Sequence, residues 1–214
     1  MDGLEPPLDA GPTRCQISAM IFREPGETPD DPSFSTRVPA GDDRERLICD
    51  RCGFINYVNP KIVVGSVPIW DDKILLCRRA IEPRRTFWTL PAGFLEERES
   101  TEDGARREAR EEANADIAIE ALLAVYNIPR ISQVQLIYKA RLNSPDVAPG
   151  VESLEVGLFA WDDIPWDELA FPSVRWALDQ YRQVRDSVVF APFTNPEGET
   201  GRMPPTGGSG ASAL

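Results

Sequence analysis

The chain has 214 residues, 42% of them hydrophobic, with a formal net charge of −12 and no histidine. That length suits one domain with extensions, and the acidic balance argues against a nucleic-acid or anionic-membrane surface, which needs a basic footprint. Without histidine there is no Ser-His-Asp triad, phosphohistidine or His-ligated zinc, so proton transfer falls to carboxylates, lysine, tyrosine or metal-bound hydroxide.

Residues 1–44 are expected to be an irregular or disordered extension, interrupted by Pro6, Pro7, Pro12, Pro25, Pro29, Pro32 and Pro39. The start, Met-Asp-Gly-Leu-Glu, has neither the basic region nor the apolar stretch of a secretory signal. It is also acidic, unlike an organelle transit peptide, and no apolar run reaches the roughly 18 residues of a membrane span. A cytoplasmic location is the expectation.

Residues 45–57 contain Cys49-Asp-Arg-Cys52-Gly, the spacing of one zinc-ribbon knuckle. A structural zinc takes four ligands, usually from two knuckles. The other upstream cysteine is Cys15, and the residue three along from it is Ser18, a poor ligand. Zinc on Cys15, Cys49 and Cys52, a metal-free remnant and a plain turn all stand as readings. Cys77, next to Leu75 and Leu76, reads as core.

Residues 58–188 read as the folded domain. Lys61 to Trp70 and Lys73 to Arg79 are β-rich runs joined by a turn at Asp71-Asp72. Thr86 to Pro91 leads into a glycine turn at Gly93. A helix is expected from Thr101 to Ala113, with Ser100 as N-cap and Asp103 reaching back to it. Strands follow at Asp116–Asn127, Val134–Leu142 and Leu154–Trp161, the first two separated by a turn at Pro129-Arg130. Pro172 opens a helix to about Arg185, with Val174, Leu178, Tyr181 and Val184 on one side. The pattern is α/β with a mixed sheet. Residues 189–214, which include a Gly-Gly-Ser-Gly run near the terminus, read as a flexible tail.

The Thr101–Ala113 helix carries the chemistry. At 100° per residue Glu108, Glu111 and Glu112 share one face, and Gly104 lies a turn before Glu108 on that face. Leaving this face open to a ligand is one reason to tolerate a glycine there. Ala105, Ala109 and Ala113 form a small-residue stripe suited to close packing on a sheet. Asn114 falls where a left-handed residue ends a helix, the second-best choice after glycine. Three carboxylates near a helix C-terminus repel one another and the dipole; Mg²⁺ or Mn²⁺ would offset both costs. The plainer reading is a solvated acidic face.

Read as G-x5-E-x7-R-E-A-x-E-E-x-N-A from Gly93 to Ala115, the stretch resembles the Nudix box, departing at Asn114, where the family has glycine. The resemblance implies an α-β-α sandwich over residues 58–188 and hydrolysis of a nucleoside diphosphate linked to another group. It makes Glu108, Glu111 and Glu112 ligands of Mg²⁺ or Mn²⁺, with Arg107 holding Glu108, Glu99 supporting the cluster and the Gly93 backbone turning beside it. Arg98 stands where the family often has glycine. Some enzymes of this kind carry an N-terminal four-cysteine ribbon, and the family suggests a homodimer.

The flanks resemble a subgroup associated with FAD and ADP-ribose hydrolysis. They include Arg78-Arg79-Ala-Ile-Glu-Pro-Arg84-Arg85, Trp88 to Phe94, and Asn127-Ile-Pro129-Arg130, where histidine is expected in place of Arg130. Arg78, Arg84, Gly93 and Pro129 are the substrate-binding candidates. Glu152 and Glu155 are either a further carboxylate for the site, as ligand or base, or surface charges. The leading expectation is a phosphoanhydride hydrolase releasing AMP. A nucleoside-triphosphate sanitising enzyme and a non-catalytic ADP-ribose-binding module are the alternatives.

Overall fold

The computed structural model describes residues 33–203. It divides into two compact units, residues 1–59 and 60–214.

In the first unit the described residues form a small antiparallel sheet of β1 (Phe34–Arg37), β2 (Arg46–Cys49) and β3 (Ile55–Asn56). The expected irregular segment is thus corrected over Phe34–Arg37, which pairs in register with Arg46–Cys49. Pairing with β2 supplies the order that proline content alone argues against. Cys49 is buried at the end of β2 and Cys52 is exposed in the following turn. Cys15 and the other residues up to 32 lie outside the described residues. Among the described residues no three ligating side chains are grouped to hold a metal.

The second unit is built on a mixed sheet. Its strands are β4 (Lys61–Trp70), β5 (Lys73–Arg79), β6 (Trp88–Thr89), β7 (Ala92–Phe94), β8 (Ile117–Ile128), β9 (Gln133–Leu142) and β10 (Ser153–Ala160). The order is β10-β5-β4-β9-β8, with β6 on β5 and β7 on β4. Only β4 and β9 run parallel; the other pairs are antiparallel. Val64 to Pro68 of β4 are continuously buried, as expected for a strand covered on both faces. Pro68, which has no N–H to give, falls between the residues paired to β7 and those paired to β5.

Two helices cover the faces. Val64 packs with Ala105 of α1 (Thr101–Ala113), and the alanine stripe Ala109 and Ala113 joins Leu75, Cys77 and Ala140. Val67, on the opposite face, joins Trp88, Leu123, Tyr126 and the α2 residues Val174, Trp176 and Leu178 (α2, Pro172–Val184). Both helices lie within a residue of their expected ends. No helix among the described residues is long and apolar enough to cross a membrane.

The tail expected to be flexible is docked over residues 193–203. Phe193 pairs with β8, its N–H donating to Leu123 O (2.8 Å) and its carbonyl accepting from Val125 N (2.9 Å). Asn195 extends the pairing: its Oδ1 accepts from Asn127 N and its Nδ2 donates to Asn127 O, both at 2.8 Å. Residues 204–214 lie outside the described residues.

Candidate metal and diphosphate site

The box begins with a turn and closes with a cap. The Ser100 hydroxyl accepts from Asp103 N at 3.1 Å and donates to Asp103 Oδ2 at 2.6 Å, opening α1 as the sequence requires. Asn114 ends it with φ 49°, in the left-handed region. Arg98 also adopts a positive φ of 65°, which explains why glycine suits that position. Gly104 does not leave an open face. It is buried, and a Cβ there would lie 2.8 Å from Val64 Cγ2 and 2.9 Å from Glu99 Oε2. The glycine lets α1 press onto β4.

Arg107 organises the carboxylates. Its Nε and Nη2 donate to the two oxygens of Glu99 at 2.9 and 3.1 Å, a bidentate pair. Its Nη1 donates to Glu108 (2.7 Å) and Glu111 (3.0 Å), and its Nη2 also reaches Phe94 O (2.9 Å). The guanidinium holds the Glu99 carboxyl below its ordinary range. A Cβ at Gly93 would collide with the Glu108 carboxylate, so the turn must be glycine for Glu108 to sit against it.

Burial raises the Glu108 carboxyl above its ordinary value, with Arg107 opposing the shift. Glu112 is 7% exposed, and burial pushes it up to about 8. The N–H of Ala92 donates to its Oε2 at 3.2 Å, offsetting part of that rise, while Glu108 and Glu152 add to it. Buried carboxylates with raised pKa values facing a common cleft are the arrangement that a cation relieves.

The donor set fits a hard divalent ion: all oxygen, three carboxylates from one helix. One oxygen each of Glu108 and Glu111 faces Arg107 and one of Glu112 faces Ala92; the other oxygen of each has no hydrogen-bond partner among the described residues. As placed, the three are not drawn together to ligating distance. Glu111 is exposed and can turn toward its neighbours.

All three glutamates line one cavity of about 1480 Å³, together with Arg107, Gly93 and Glu152. That exceeds the ~300–1,000 Å³ of common small-ligand pockets. Other candidates go elsewhere. Arg78 does not line the cavity; its Nε donates to Thr86 O at 2.9 Å and it pairs with Glu155 at 3.4 Å. Arg84 stacks on Phe87 at 5.0 Å, also outside the cavity. The lining arginines besides Arg107 are Arg79, Arg110 and Arg130. Pro129 is absent from the wall, whereas Ile128, Arg130 and Ile131 beside it are present. Glu99 sits behind Arg107 rather than on the cavity surface.

Sequence reasoning missed the far wall, made partly by Gly201 and Met203 of the tail. The available signal was weak: the short apolar run Val188-Val189-Phe190-Ala191-Pro192-Phe193 precedes a polar, glycine-containing stretch.

A model of the NUDIX domain matches residues 59–180. The chain belongs to the Nudix family. A second family model, "Nudix N-terminal" of zinc-ribbon type, matches residues 32–58. The chain is 45% identical to a NUDIX hydrolase structure from Nitrosomonas europaea, with a TM-score of 0.72, covering 77% of this chain and 94% of that one. It is 28% identical over 130 residues to an ADP-ribose pyrophosphatase of Methanocaldococcus jannaschii, covering 59% of this chain and 76% of the relative. It is 29% identical over 133 residues to the NAD-capped RNA hydrolase NudC of Pseudomonas aeruginosa, covering 61% of this chain and 47%, about half, of NudC. This Nudix protein is therefore a hydrolase of pyrophosphate bonds with the mixed-sheet fold of its family.

Proposed function

We propose that this Nudix protein cleaves the diphosphate of a nucleoside diphosphate linked to a second group, ADP-ribose or FAD, and releases AMP. The observation that carries the reading is the convergence of Glu108, Glu111, Glu112 and Glu152 on one cavity large enough for a two-part substrate. The names of two relatives support the substrate class, since ADP-ribose and NAD both join an AMP half to another half through a diphosphate.

Mg²⁺ or Mn²⁺ held by Glu108, Glu111 and Glu112 would neutralise the diphosphate and acidify a water. Arg107 keeps Glu108 and Glu111 oriented, and Glu99 fixes Arg107. Glu152 is the base in this reading, because its carboxylate has no hydrogen-bond partner among the described residues and faces Glu108 and Glu112 closely enough to perturb both. Water adds to phosphorus, its proton passes to Glu152, and the bridging P–O bond breaks. One water is consumed; AMP and ribose 5-phosphate, or AMP and FMN, leave.

The test is a panel of ADP-ribose, FAD, NADH, coenzyme A and nucleoside triphosphates with Mg²⁺ or Mn²⁺, products resolved by chromatography. AMP plus a phosphorylated partner is expected. A monophosphate plus inorganic pyrophosphate from triphosphates alone would replace this reading with nucleotide sanitising. Tight ADP-ribose binding without turnover or metal dependence would replace it with a binding module.

A further inference from the structure

We infer that the C-terminal strap, residues 193–203, is the chain's own specificity wall: Met203, with Ile128 and Ile131, seats the planar heteroaromatic ring of the nucleotide. The inference rests on the proposed use of the cavity and adds which part of the substrate is read, and by what.

The strap lies beyond the residues matched by the NUDIX domain model, which ends at 180. It is nevertheless built into the domain. Besides the pairing of Phe193 and Asn195 with β8, Gln180 of α2 donates to Thr194 O at 2.9 Å while accepting from the buried Tyr126 hydroxyl at 2.6 Å. Asn195 Nδ2 also donates to Glu199 O at 3.0 Å, folding the strap back on itself. Gly201 is buried with φ +73°, and a Cβ there would lie 2.7 Å from Ile128 Cδ1. Glycine adopts that backbone without strain and leaves the Ile128 side chain where it is. The next cavity-lining residue is Met203, half-buried.

The cavity has two chemical ends. One is carboxylate and arginine over β7 and α1. Across β4 lies β9, whose Gln133, Gln135 and Ile137 alternate onto one face and line the cavity; beyond β9 come Ile128 at the end of β8, Ile131 and the strap. The metal end takes phosphate. The far end offers apolar, polarisable surface from Ile128, Ile131 and Met203, with the amides of Gln133 and Gln135 and the Arg130 guanidinium at its edge, which suits a flat ring with polar edges.

The experiment compares wild type with Met203→Asp and Asn195→Ala. Kinetics are run on ADP-ribose and FAD, with AMP and inorganic diphosphate as competitive inhibitors, and AMP affinity is measured separately by calorimetry. Met203→Asp should raise KM and the AMP inhibition constant about tenfold or more with kcat little changed, the signature of lost uniform binding. Inhibition by inorganic diphosphate, which has no ring, should stay at its wild-type value. Asn195→Ala, which unhooks the strap without touching the cavity, should act in the same direction. Unchanged KM and AMP affinity in Met203→Asp, or equal weakening of AMP and inorganic diphosphate, would overturn the inference while leaving the hydrolase reading intact. If wild type cleaves neither ADP-ribose nor FAD, the proposed function fails, and AMP calorimetry decides the strap alone: no AMP binding, or binding indifferent to Met203→Asp, refutes it.

Discussion

The side-chain amide of Asn114 donates to the carbonyl of Ala148 at 2.9 Å. The residue that ends α1 in place of the family's glycine therefore also fastens the loop leading to Glu152. Ala148 N–H and Gly150 N–H return hydrogen bonds to Ala113 O and Glu112 O at 2.9 and 3.0 Å.

Asn114→Gly keeps the left-handed cap and the backbone bonds from Ala148 and Gly150, and removes only the side-chain part of the tether. Stability should move by no more than about 1 kcal/mol, since one hydrogen bond is lost and a more permissive cap gained. Turnover should fall several-fold, because Glu152 is less well held. Thermal melts and kcat measured on the same preparation check both; unchanged turnover would mean that the tether does not position Glu152.

Without metal, the Glu112 carboxyl titrates at about 8 in the folded state against an ordinary 4.5. The folded chain then binds more protons than the unfolded chain between those values, so stability falls as pH rises through that window. The contribution is fully present below 4.5 and gone above about 8. A tenfold difference in proton affinity corresponds to about 1.4 kcal/mol, so the total is a few kcal/mol at most. No histidine titrates in this range to mask it. In chelator, the melting temperature should drop as the buffer is taken from mildly acidic to mildly alkaline across that window. Saturating Mg²⁺ should abolish the drop, and binding should release protons in calorimetry across several buffers. A flat profile in chelator refutes the assignment.

Arg107→Lys replaces a fork that bridges Glu99, Glu108 and Glu111 with a point charge. Turnover should fall by about two orders of magnitude, as misplaced catalytic groups do, and the concentration of Mg²⁺ for half-maximal rate should rise. Metal titrations of the rate decide it.

Glu152→Gln should lower kcat about 10²–10⁴-fold, the usual contribution of a general base, with KM for ADP-ribose little altered. Glu155→Gln serves as the comparison, because that carboxylate pairs with Arg78 outside the cavity. Equal losses in the two variants would remove Glu152 from the chemistry.

The box was legible because its signals are local. A cap, a 3.6-residue period and a left-handed terminus all fall within one helix, and α1 spans the expected residues with Ser100 and Asn114 in their expected roles. The strands were legible from β-branched runs bounded by turns. Long-range partners were not. Whether Arg78 or Arg79 faces the cavity depends on which side of β5 each occupies and on a loop that binds Arg78 through Thr86. The role of Gly104 depended on Val64, in a strand far upstream, rather than on a ligand. The strand Phe34–Arg37 owes its order to pairing with the next strand, Arg46–Cys49, and the docked tail to a partner distant in sequence, whereas composition reports neither pairing and pointed the other way.

The lateral backbone groups of Leu123, Val125 and Asn127 in β8 are already occupied, by Phe193 and Asn195 of the same chain. A second copy could not extend the sheet there without first peeling those residues away. Of the two outer strands of the second unit's main sheet that leaves β10, at the opposite margin, as the one whose outer edge a second copy could extend without displacing the strap.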